Sequence, residues 1–194
     1  MRRKSFDTLV STAGLVIAAV LFTASGLLFW AHSFIDDNVR TQLVAQKIFF
    51  PPKGSDAIND PAIKPYLSQY AGQQLTTGAQ AKAYADHFIA VHLKEMTGGQ
   101  TYAQLSSKSL ANPADTKLAG QVQTVFRGET LRGMLLNAYA FGTMATVAFV
   151  AAWVAVGAAA ALIVLAALGM IHARRTGDDV ELHVPGWHPE HVTS

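Results

Sequence analysis

The densest run of chemically capable side chains is Asp86-His87-Phe88-Ile89-Ala90-Val91-His92-Leu93-Lys94-Glu95. A metal ion held by one helix needs two ligands three or four residues apart, because only that spacing brings side chains to one face. His87 and His92 are five apart, about 140° round a helix at ~100° per residue, and do not converge. His92 and Glu95 share a face, but two ligands make a weak site unless a third comes from elsewhere. The competing expectation is structural, with His92 bordering a core face and His87 in solvent. A second set, His183, His188 and His191, stands among Asp178, Asp179, Glu181 and Glu190. Pro185, Gly186 and Pro189 interrupt that segment, so it reads as a disordered tail with at most weak metal affinity. No phosphate loop, nucleophile elbow or dinucleotide fingerprint occurs. The expectation is a non-enzymatic protein with no catalytic, cofactor-binding or metal-ligating residue and no cofactor.

Composition narrows the class further. Of 194 residues, 51% are hydrophobic and 14% charged, and the apolar residues gather in two blocks, as in a membrane protein. The absence of cysteine excludes disulfides, thiol catalysis, Cys-based metal sites and lipidation on cysteine. An exported domain without disulfides points toward bacteria. The net charge of +2 is small and the basic residues are scattered, so nucleic acid is not an expected partner.

The first apolar block, residues 9–31, is uncharged and long enough as a helix to cross a ~30 Å hydrocarbon core. Arg2, Arg3 and Lys4 precede it and Asp36 and Asp37 follow, which places the N-terminus in the cytoplasm. A cleaved signal peptide is the rival reading. Its apolar core is normally ~7–15 residues with a small-residue cleavage site, and Ala31-His32-Ser33 after Phe29-Trp30 is a poor one. The second uncharged stretch, residues 134–171, would be ~57 Å long as a helix, too long for one crossing. Two crossings would need a turn near residues 154–158, where no Pro, Asn or Asp stands, and would leave Arg174 and Arg175 outside. One continuous helix is therefore expected, crossing the membrane over residues 148–171, with residues 130–147 projecting outward as a stalk. Both apolar blocks carry small residues at three-to-four spacing: Ser11, Gly14, Ala18 and Ser25 in one, Ala145, Ala148, Ala152, Ala155, Ala159, Ala166 and Gly169 in the other. Small residues let helix backbones approach closely in lipid, either between the two spans of one chain or between subunits. No acidic or basic residue lies inside either block, which argues against a proton relay or ion-coupled transporter.

Between the blocks, residues 32–129 read as a helical domain. An amphipathic helix continues from Phe34 until Pro51-Pro52 ends it. Residues 53–72 form an irregular arm that Tyr66, Leu67 and Tyr70 could dock. Thr76 or Thr77 caps the next helix, residues 79–96, which Gly98-Gly99 stops. A short helix spans residues 101–110, and Asn112-Pro113 caps the one that follows. Over residues 34–133 ten Lys/Arg face eight Asp/Glu, so the domain has no strong steering field. Its size supports only a marginal core. Phe49, Phe50, Tyr66, Tyr70, Tyr84 and Phe88 could line a lipid or peptide site, or simply form that core.

The tract Tyr66-Leu-Ser-Gln-Tyr70-Ala-Gly-Gln-Gln-Leu75-Thr-Thr-Gly-Ala-Gln80-Ala-Lys-Ala-Tyr84-Ala-Asp-His-Phe-Ile, with Gly128-Glu-Thr-Leu-Arg132-Gly-Met-Leu-Leu-Asn-Ala-Tyr139-Ala-Phe and Gln46-Lys-Ile-Phe-Phe-Pro51, resembles a family of small two-span actinobacterial membrane proteins without an established activity. Some members carry the label aromatic ring-opening dioxygenase. That chemistry needs a convergent iron site such as two His and a carboxylate, a pattern this sequence does not show. The resemblance implies membrane topology and an actinobacterial origin, and it transfers no catalytic residue.

The expected architecture is an all-α membrane protein: a two-transmembrane-helix hairpin with a helical extracytoplasmic domain and a stalk continuous with the second span. Residues 1–8 and the disordered tail, 172–194, would be cytoplasmic and residues 32–147 extracytoplasmic. Expected partners are the lipid bilayer and other membrane-protein subunits or a second copy of the chain.

Overall fold

The computed structural model describes residues 3–175; Met1, Arg2 and the tail 176–194, with His183, His188 and His191, lie outside them. Every regular element among the described residues is helical. They are α1 (Arg3–Ala45), α2 (Asp56–Asn59), α3 (Lys64–Leu67), α4 (Gly78–Tyr84), α5 (Ala90–Thr97), α6 (Tyr102–Ala111) and α7 (Thr116–Arg175), with a 3₁₀ turn at Ser68–Tyr70 and a π-turn at Ala85–Ile89. Two of them, α1 and α7, are long and apolar enough to cross a membrane. α7 runs through the whole second apolar block without a break. With no proline in either helix, each interior N–H finds a carbonyl four residues back, the one arrangement an isolated segment tolerates in hydrocarbon. Hydroxyls obey the same constraint: Thr8, Thr12 and Thr23 donate to carbonyls four residues back, and Ser25 to the Phe22 carbonyl at 2.8 Å.

The chain divides into two compact units. The first unites the described residues up to Phe29 with those from Phe149 onward. Its helix segments run antiparallel. Ser11 lies against Gly169, a Cβ on Gly14 would sit 3.8 Å from the Ala166 Cβ, and Phe29 packs edge-on against Phe149 and Trp153. The buried positions repeat every seven residues: Ser11, Ala18 and Ser25 on α1, and Ala152, Ala159, Ala166 and Ala173 on α7. A seven-residue repeat is the signature of two helices wound gently round each other, and small side chains bring their backbones close. Both small-residue stripes are thus used within one chain.

The second unit is Trp30–Ala148. Its core takes Val39 and Leu43 from α1, Leu75 from the segment before α4, Ala81, Ala85, Ile89 and Leu93 from the α4–α5 rod, and Val125 and Leu135 from α7. His32 joins α1 to α7 through Nδ1, 2.9 Å from the Ala145 carbonyl. Gly78 brings the start of α4 onto the α7 backbone. A Cβ there would lie 3.0 Å from the Ala138 carbonyl oxygen and 3.1 Å from the Tyr139 Cα.

The expected boundaries hold at some ends and fail at others. Thr77 caps α4 in a reciprocal capping box with Gln80, Thr101 does the same for α6 with Gln104, and Gly98 in the left-handed region ends α5. α1 stops at Ala45, short of Pro51-Pro52. Lys47 turns left-handed (φ 52°), and residues 48–50 become extended. Phe50 N–H donates to the Gln73 carbonyl and Leu75 N–H to the Ile48 carbonyl, both at 2.9 Å. Pro51 disfavours a helical Phe50, and this short antiparallel pairing takes up the backbone groups that the helix gives up. The arm is not irregular throughout: it holds α2, α3 and the 3₁₀ turn, and it docks through Ile58, Ile63 and Leu67, with Tyr70 packed against the core and the half-exposed Tyr66 ring lying on the α4–α5 rod. Asn112 closes α6 rather than opening α7. The cap of α7 is Asp115, whose Oδ1 accepts from Leu118 N–H at 2.9 Å.

Ala159 is 0% exposed, whereas Ala160 faces outward. Ala159→Leu should therefore overpack the seam and lower stability by about 1–3 kcal/mol, with Ala160→Leu near neutral. Denaturation of both variants from mild detergent checks this.

Candidate functional site

The Asp86–Glu95 run lies on the α4–α5 rod, where the π-turn makes the difference. A π-turn inserts one residue into the 3.6-residue phase, so positions after Ile89 turn away from those before it. The expected environments of the two histidines are thereby exchanged. His87 is half-buried and stacks flat on the Tyr66 ring, with centroids 3.5 Å apart and planes 4° apart. His92 is exposed, with Nδ1 2.8 Å from the Phe88 carbonyl and its ring against Phe88. His92 and Glu95 open onto different clefts: His92 faces α7, and Glu95 lies beside Ala62, Val91 and Gly98. Among the described residues no three His, Asp or Glu side chains gather where a metal could sit.

The aromatic set folds back on itself. Tyr70, Phe50, Tyr84 and Phe88 form a continuous chain of ring contacts with centroid distances of 5.1, 5.4 and 4.7 Å. Burial raises the Tyr84 phenol pKa above its ordinary value. Phe49 points outward. These four rings thus pack chiefly on one another, with Phe88 also lining the cleft against α7.

Asp86 is the hub of a charge network that sequence spacing reveals only in part. Its Oδ2 accepts from Lys82 Nζ one turn earlier, and its Oδ1 from Arg132 Nη2 of α7 at 3.4 Å. Arg132 Nη1 also reaches Glu129 at 3.3 Å, and Lys82 Nζ lies 5.4 Å from the centre of the Tyr139 ring. The Lys82 hydrogen bond holds the Asp86 carboxyl below the usual carboxylate range, with Lys82 charge and Arg132 adding to it against partial desolvation. Lys82 is raised in turn, chiefly by its hydrogen bond to Asp86. The i,i+4 pair could be read from sequence; the Arg132 contact, 46 residues away, could not.

Two apolar concavities lie in this unit. One, of about 570 Å³, runs between α5 and α7 and is lined by Phe88, Ile89, His92, Leu93, Met96, Thr124, Arg127, Gly128 and Leu131. The other, of about 390 Å³, lies between α1 and α7 beside Phe34, Ile35, Asn38, Val39, Gln42, Ala138 and Phe141. The sequence carried a signal for the second. Phe34, Ile35, Asn38, Val39 and Gln42 share one arc of α1, spanning about 140° at ~100° per residue, and Asp36, Asp37 and Arg40 occupy the rest. Neither concavity brings together a nucleophile, an acid–base pair or a metal-ligand set.

Because the folded Asp86 carboxyl titrates below its unfolded value, its contribution is present above pH ~4 and is lost as pH falls through the folded pKa. Partial exposure limits it to about 0.5–1 kcal/mol. Asp86→Asn should show that deficit at pH 7, and the deficit should shrink progressively as the pH is lowered below about 4, measured by denaturation across that range.

No family model, curated protein or solved structure matches this chain.

Proposed function

We propose that the protein is a two-span hairpin of a bacterial plasma membrane and serves as a non-enzymatic accessory or assembly subunit of an envelope complex. Both termini lie in the cytoplasm, residues 32–147 lie outside, and residues 130–147 form the stalk. The basic N-terminus, Arg174 and Arg175, and the two long apolar helices support that topology. The resemblance to actinobacterial two-span proteins points the same way.

The observation that carries the assembly role is the cleft between α5 and α7. Met96 and Leu131 in its walls are 41% and 36% exposed. Large apolar side chains clustered on a face that meets water mark a partner surface. The small-residue stripes are occupied by packing between α1 and α7 of the same chain, so a partner must bind elsewhere, and this cleft supplies a place. The partner is another membrane subunit or a second copy of the chain.

Native mass measurement in mild detergent should show the protein with a second copy or a co-purifying subunit. Leu131→Glu should abolish that association while leaving helical content unchanged. A lone monomer from native membranes would contradict the reading.

A further inference from the structure

The groove between α1 and α7 has a different position and a different chemistry from the partner cleft. It begins one turn beyond Trp30, whose ring stacks on Phe34 at 5.5 Å and 19°. Trp30 closes the first apolar block, and tryptophan at such an end favours the headgroup layer. Phe34 and Phe141, on opposite walls, are 55% and 53% exposed, while Val39 is buried and Ala138 half-buried between them. No charged side chain lines the groove, because Asp36, Asp37 and Arg40 fall on the remaining arc of α1. From Phe34 to Gln42 the groove runs ~12 Å along the helix. Its ≈ 390 Å³ is room for about a dozen water-sized groups at ~30 Å³ each, and a methylene is of similar size.

A charge-free slot of chain-like proportions whose mouth, at Phe34, opens about 6 Å beyond Trp30, at the edge of the headgroup layer, fits one class of occupant. We propose that this groove seats a single acyl chain of an outer-leaflet phospholipid, drawn up beside Phe34 and Phe141. The inference rests on the topology proposed above. A protein partner is fixed by about one hydrogen bond per 100–200 Å² as well as by apolar area, and this rim offers few such groups. The rim polar groups are Asn38 and Gln42, and the Asn38 amide is already bonded to the Phe34 carbonyl at 2.9 Å. An acyl chain needs none. The driving force is burial of the Phe34 and Phe141 faces, about 25 cal/mol per Å² of apolar surface removed from water.

The test is photo-crosslinking of the full chain in native membranes, with benzoylphenylalanine placed singly at Phe22, Leu110 or Phe141 and adduct masses read on the purified protein. A phospholipid adduct is expected at Phe22 and Phe141 and none at Leu110, which is 80% exposed on α6. Filling the groove with Ala138→Trp, or independently with Gln42→Trp, should remove the Phe141 adduct and keep the one at Phe22, which also reports correct insertion. A lipid adduct at Phe22 but none at Phe141, or one at Phe141 that survives both fillings, overturns the acyl-chain site and leaves the topology standing. A Phe141 crosslink to a second copy or another protein also overturns it. Absence of lipid at Phe22 overturns the topology and the groove together.

Discussion

Close contact between small side chains on α1 and α7 is the interaction on which the rest of the molecule depends. Ala and Ser add almost no apolar area to drive association, and between helices in lipid there is little hydrophobic force to gain. What holds such helices is dispersion across closely approaching backbones, tiny per atom pair and large when summed along several turns. The seven-residue repeat keeps the small residues on one line for as long as the helices run together. In the first unit that line is Ser11, Ala18 and Ser25 against Ala152, Ala159, Ala166 and Ala173. The same spacing along α1 reaches His32 and Val39 in the second unit. There His32 makes a hydrogen bond to the Ala145 carbonyl and Val39 enters the core.

The second unit shows what changes where larger side chains take over. Its core is built mainly from Leu, Ile, Val and Phe, with Ala81 and Ala85 on the α4–α5 rod and Gly78 where close backbone approach is still required. The capping boxes at Thr77 and Thr101 fix where helices start, and the Asp86–Lys82–Arg132 network ties the α4–α5 rod to α7. The network is exposed enough that it orients more than it stabilises. The aromatic chain from Tyr70 to Phe88 fills the space beneath the arm.

Much of this is legible in the sequence. Long uncharged blocks without proline leave a helix as the only economical backbone, and threonine-led capping boxes mark helix starts through purely local hydrogen bonds. The small-residue stripes were visible too; which helix each would meet was not, since periodicity names a face and not its partner. Misread points have physical causes. α1 ends at Ala45 because residues 48–50 pair with a segment some 25 residues on, a non-local bond that no local propensity reports. The histidine environments were exchanged because the π-turn at Ala85–Ile89 shifts the helical phase. The Asp86–Arg132 contact and the cleft between α5 and α7 arise from tertiary packing alone. The groove beside Phe34 had a partial trace in the segregation of Asp36, Asp37 and Arg40 to one side of α1.

The proposed topology puts the second unit on the outer side of the membrane and the start of α1 on the inner side. The cysteine-free sequence allows a direct measurement: single cysteines at Ser107, exposed on α6, and Ser5, exposed at the start of α1, probed in intact cells with a membrane-impermeant maleimide. Labelling at Ser107→Cys without permeabilisation, and at Ser5→Cys only after it, is the predicted result. Labelling of Ser5→Cys in intact cells, or protection of Ser107→Cys until the membrane is opened, would contradict it.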